Sequence, residues 1–85
     1  MVKRFKMIDL AEEIYPATII HDRYNGTYSG GKWTAWNKHF EDVPEDINGD
    51  DMTCFNFWAD YKGVVGKGNT PNTALIDLKR KLNGT

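Results

Sequence analysis

Residues 5–14, FKMIDLAEEI, set Met7, Leu10, Ala11 and Ile14 at i, i+3, i+4 and i+7, the spacing that lines one face of a helix. Pro16 ends that helix because its ring cannot continue the hydrogen-bond ladder. The period then changes. ATIIHDRY carries β-branched side chains at Thr18, Ile19 and Ile20, which fit a pleated surface, and predicts a strand over 17–24. Asn25-Gly26 and Gly30-Gly31 accept positive φ at little cost, so NGTYSGG reverses the chain. KWTAW returns it as a second strand, with Trp33 and Ala35 on one side and Thr34 and Trp36 on the other.

Residues 37–51, NKHFEDVPEDINGDD, follow neither period and hold six carboxylates, one proline and one glycine, which predicts a solvated loop or a short helical turn. Asp50 or Asp51 then stands where a carboxylate caps the free N–H groups of a helix over DMTCFNFWADYKG, with Gly63 as its terminator; a strand is the rival reading, though the adjacent apolar Phe57 and Trp58 break a clean alternation. In that helix Cys54, Phe57, Trp58 and Tyr61 form one apolar stripe and Met52, Phe55 and Ala59 a second. Together they exceed the stripe of roughly 100° that an ordinary surface helix buries. VVGKG predicts a short strand. NTPNTALIDLKRKL predicts a helix with Thr70 as N-cap, Pro71 at its first position, Ala74, Leu75, Leu78 and Leu82 inward, Ile76 outward, and Lys79, Arg80 and Lys81 in the last turn. The resulting order, α-β-β-α-β-α in 85 residues, is that of one small α+β domain: an antiparallel hairpin-based sheet packed against two or three helices.

Charge sharpens this picture. Residues 1–40 carry six cationic and four anionic side chains, residues 41–61 seven anionic and no cationic, and residues 62–85 five cationic and one anionic. The net charge of −1 hides that partition and gives no basic footprint for duplex DNA. Cys54 is the lone cysteine, so no internal disulfide forms. MVKRFKMIDL lacks the apolar core of a signal peptide, and no window approaches the roughly 18 apolar residues of a membrane span, so a cytoplasmic protein is expected. The broad apolar faces, with Ile76 pointing outward, predict that another subunit or a ligand covers them, and a homo-oligomer is the expectation.

Candidate chemistry concentrates in DRYNGTYSGGKWTAW, residues 22–36. Backbone N–H groups of Ser29, Gly30 and Gly31 in a glycine-rich turn converge on an anion, and Lys32 adds charge. Tyr24, Tyr28, Trp33 and Trp36 are rings on which a base stacks. The competing reading is a hairpin whose aromatics pair across strands. A second glycine-rich run, GVVGKGNTP, closes on a helix N-terminus suited to anions; if Lys67, Gly68 and Asn69 approach Arg23 and Lys32, the two loops make one electropositive pocket. SGGK lacks the spacing of a P-loop, EDINGDD lacks that of a calcium loop, and Cys54 with His21 or His39 has no nucleophile signature. No catalytic residue, metal ligand or cofactor is therefore expected.

DRYNGTYSGGKWTAW at 22–36, NGDDMTCFNFW at 48–58 and GNTPNTALIDL at 68–78 together look like small proteins of phages and mobile elements. In size and acidic block the chain resembles phage-encoded inhibitors of bacterial defence, including anti-CRISPR proteins and proteins that sequester nucleotide immune signals. VVGKGNTPNTALIDLKRKL is also similar to the strand-then-helix ending of small antitoxins with a partial ribonuclease-H-like fold. The resemblance implies a non-enzymatic counter-defence protein in a bacterial host cell. One form captures a phosphate-bearing small ligand, such as a nucleotide signal, through Arg23, Tyr28, Ser29, Gly30, Gly31, Lys32, Trp33, Trp36 and Lys67. The alternative is an inhibitor that meets a host defence protein through Glu41, Asp42, Glu45, Asp46, Asp50 and Asp51.

Overall fold

The alternation in KWTAW organises the molecule. A computed structural model describes residues 14–83, so the helix expected over 5–14 lies outside the described residues except for its last position, Ile14. Strands β1 (Thr18–His21), β2 (Trp33–Trp36) and β3 (Gly66–Gly68) form one antiparallel sheet in that order, with Ile19 opposite Ala35 and Thr34 opposite Lys67. Two 3-10 turns, Phe40–Asp42 and Glu45–Asn48, lead into helix α1 (Asp51–Asp60), and helix α2 (Pro71–Leu82) follows β3. The fold class is α+β.

Each face of the sheet has its own core. Ile19, Trp33 and Ala35 pack with Ile14 and with Ala74, Leu75 and Leu78 of α2. Ile20 and Trp36 pack with Val43 and Ile47 of the 3-10 segment, with Val65, and with Phe57, Trp58 and Tyr61 at the α1 end. Covering both faces explains why neither side of β2 is polar in the usual way. Thr34 lies among these apolar residues, and its Oγ1 accepts from Trp36 Nε1 at 2.9 Å. Much of the aromatic surface that seemed to need an external cover is thus absorbed by this second core, because α1 and the acidic segment fold over Trp36.

Helix α2 begins as its sequence dictates. Thr70 accepts from Thr73 N–H while the Thr73 hydroxyl accepts from Thr70 N–H, a reciprocal cap, and Pro71 occupies the first turn. The glycines of β3 let it approach closely: a Cβ on Gly66 would lie 2.2 Å from the Ala74 carbonyl oxygen, and one on Gly68 would lie 2.3 Å from Thr73 Oγ1. The GKG run is therefore a packing device, and the helix start beside it is already capped rather than open to an anion. Leu82, expected inside, is 41% exposed, as is Ile76 at 44%. Asp50 caps α1, its carboxylate accepting from Thr53 N–H at 2.9 Å. The helix ends at Tyr61, whose backbone is extended, and not at a left-handed Gly63.

The first strand is shorter than its β-branched run suggested. The buried Asp22 carboxylate accepts from Tyr24 N–H at 3.1 Å and Gly26 N–H at 2.7 Å, which bends the chain away before residue 24. Asn25 and Gly26 both take positive φ, at 55° and 91°, as the Asn-Gly pair requires.

Candidate functional site

The hairpin and β3 do meet. A Cβ on Gly31 would lie 2.8 Å from the Gly68 amide nitrogen, and one on Gly30 would face the Lys67 side chain. Antiparallel pairing of β2 with β3 causes this approach, but the other expected ligand groups do not join it. Arg23 turns toward the start of α1, where Nη1 donates to the carbonyls of Asn48 at 2.6 Å and Gly49 at 3.2 Å. Tyr28 donates to Asp51 Oδ1 at 3.0 Å and meets Tyr24 and Phe55 edge to face; the bond to Asp51 holds its phenol pKa above the ordinary value. Ser29 is buried, its hydroxyl donating to the Gly31 carbonyl. Trp33 is half-buried against His21, and Lys32 is exposed.

Trp36 corrects the stacking expectation outright. It is fully enclosed, at 0% exposure, with its N–H bonded to Thr34, so it presents no ring face to a ligand. The acidic residues also divide. Asp50 is a helix cap and Asp51 an acceptor for Tyr28, whereas Glu41, Asp42, Glu45 and Asp46 stand exposed on the 3-10 segment. Cys54 is buried, its Sγ within 3.4 Å of three backbone carbonyls, and burial pushes its thiol pKa up. It is a structural thiol.

The chemistry gathers on the α1 side of the sheet, around Lys67. Residues alternate along β3, so Gly66 and Gly68 face α2 while Lys67 reaches the opposite face. There its ammonium lies 5.2 Å from the centre of the Trp58 ring. The two residues border a cavity of about 290 Å³, with Tyr61, Val65 and Lys81 among its walls. Lys67 is partly withdrawn from water, and no carboxylate among the described residues pairs with its ammonium. Asp77, the nearest acid, accepts from the Lys67 backbone N–H at 2.9 Å and pairs with Lys81 at 3.0 Å and with Arg80. Burial, then the Lys81 charge, lowers the Lys67 pKa against the opposing pull of Asp77. Trp58 Nε1 is buried and has no hydrogen-bond partner among the described residues.

The Lys67 ammonium, which pairs with no carboxylate among the described residues, and Trp58 border this cavity, whereas Lys81 in its wall is already paired with Asp77 and donates to the Val65 carbonyl at 2.9 Å. An oxyanion in the cavity would accept from the Lys67 ammonium and offset its charge. Sequence reasoning found Lys67 but assigned Trp58 and Tyr61 to a helix stripe and Lys81 to a helix C-terminus. A lysine flanked by two glycines on a three-residue strand was the available signal, because period two sends it away from the helix that the glycines admit.

Comparison with known proteins leaves the site to be read from its own geometry: no family model matches the chain, and no curated protein or solved structure matches it.

Proposed function

We propose that this chain is a non-enzymatic binding protein that captures a small phosphate-bearing ligand in the cavity bordered by Lys67, Trp58, Tyr61 and Lys81. The observation that carries this reading is the Lys67 ammonium, set on an indole face in the cavity wall and paired with no carboxylate among the described residues. The ligand class is that expected from residues 22–36, but the site moves from the hairpin to the α1-covered face of the sheet. At about 290 Å³ the cavity lies near the small end of ligand pockets, which favours a phosphate with one ring system over a large dinucleotide. The resemblance to proteins that sequester nucleotide immune signals makes nucleotides the first compounds to test.

Calorimetric titration with inorganic phosphate, nucleoside monophosphates and cyclic dinucleotides separates the two locations. Capture in the cavity predicts binding that weakens at least about tenfold in Lys67→Met, the loss of a charge-assisted contact. Lys32→Ala leaves it unchanged. Loss of binding in Lys32→Ala with Lys67→Met unaffected returns the site to the hairpin, and no heat with any compound on the panel rejects the reading.

A further inference from the structure

A second surface of the molecule lies apart from the cavity and shares no lining residue with it. Ile20 of β1 and Phe40, Pro44 and Ile47 of the 3-10 segment line a groove of about 530 Å³, with Glu41 and Glu45 among its walls. Phe40 is 69% exposed, so the groove and its rim form one apolar strip. Glu41 and Glu45 line it, Asp42 and Asp46 are exposed on the same 3-10 segment, and none of these carboxylates forms a hydrogen bond or ion pair among the described residues. We infer that this groove docks a basic segment of another protein, one that places an apolar side chain against Phe40 and Ile47 and cationic side chains on the acidic rim.

The sign and shape of the surface select this occupant. A neutral partner covering the groove would strip water from the unpaired carboxylates of Glu41 and Glu45 without replacing it, whereas lysine or arginine side chains pair with them. Nucleic acid and anionic membranes are repelled by the same charges. A purely cationic partner would leave the phenyl ring of Phe40 and the apolar floor uncovered. A second copy of this chain meeting the groove with the same face is the poorer fit, because a two-fold contact would set carboxylates against carboxylates. What remains is a basic segment with an aromatic or aliphatic anchor, the pairing of apolar anchor and charged rim that recurs in peptide-binding grooves.

A displayed library of random dodecapeptides, panned on the full chain with the double variant Glu41→Lys/Glu45→Lys as counter-target, tests this. Both substitutions are at exposed positions, and thermal unfolding checks that the variant is folded. Recovered peptides should combine lysine or arginine with phenylalanine, tryptophan, leucine or isoleucine. They should bind the wild type at least about tenfold more tightly than either the double variant or Phe40→Ser, and weaken as salt rises. Three results overturn the inference. The first is no peptide that prefers the wild type over the double variant. The second is basic peptides without an anchor that bind equally well to Phe40→Ser. The third is self-association of the protein alone, abolished by the double variant, which would make a second copy the occupant.

Discussion

The two faces of the sheet are built from the same strands yet do different work. On the α2 side, small and aliphatic residues form a closed centre with Trp33 half-buried beside it: Ala35, Ala74, Leu75 and Leu78 have no exposed surface, and glycines bring helix and strand backbones together. On the α1 side, rings take the place of aliphatic chains, and a lysine enters the layer between sheet and helix. Aromatic rings pack at their edges and tilts, as Trp36 does against Trp58 and Tyr61. Both faces hold the fold together, and the α1 side also borders the cavity at Lys67.

Substitutions that break this contrast should fall in a definite order. Trp36→Ala removes the ring at the centre of the α1-side core and should cost about 3–5 kcal/mol in urea unfolding. A value under about 1 kcal/mol would mean that this face is not a core. Gly66→Val forces a side chain against the backbone of α2 and should cost about 3 kcal/mol. Wild-type stability there would show that the close contact of β3 with α2 is not required.

Asp77→Asn should cost about 1–2 kcal/mol at neutral pH, because it weakens charge-assisted bonds to Lys81, Arg80 and the Lys67 N–H. Burial raises the pKa of this carboxyl, but those hydrogen bonds outweigh it and the net pKa lies below its ordinary 3.8. Its stabilisation is therefore present above 3.8 and is lost as pH falls through the lower folded-state value. Asp77→Asn should flatten that acid-side loss in a pH series of unfolding curves. The smallest change in stability belongs to Lys67→Met. A lost cation–π contact of about 0.5–1 kcal/mol is offset by relief of ammonium desolvation, leaving the variant within about 1 kcal/mol of wild type. The same substitution should have the largest effect on anion binding. Affinity should also fall as pH rises through the Lys67 pKa, below its ordinary 10.5, since only the charged form attracts the ligand.

The skeleton of the fold was legible because local signals agreed with packing. The Thr70-Pro71 start of the last helix, the Asp50 cap, the Asn25-Gly26 turn and the opposed sides of KWTAW all depend on neighbours in sequence. The site was less legible because it depends on neighbours in space. Nothing local to Trp36 distinguishes a ring that stacks on a ligand from one enclosed by Val43, Ile47 and Val65, which lie beyond the strand. Arg23 read as a phosphate ligand because it adjoins a glycine-rich turn, but the carbonyls of Asn48 and Gly49 are its actual partners. Asp22 read as a strand residue, whereas its carboxylate organises the loop that follows.

The most direct test of the division between the two faces is the indole N–H region of a ¹⁵N–¹H NMR spectrum during titration with inorganic phosphate. Trp58 Nε1–H should shift saturably in the wild type and stay fixed in Lys67→Met, while Trp36 Nε1–H, bonded to Thr34, should hold its position in both. A Trp58 resonance that does not move at any phosphate concentration, or that moves equally without Lys67, would contradict the account.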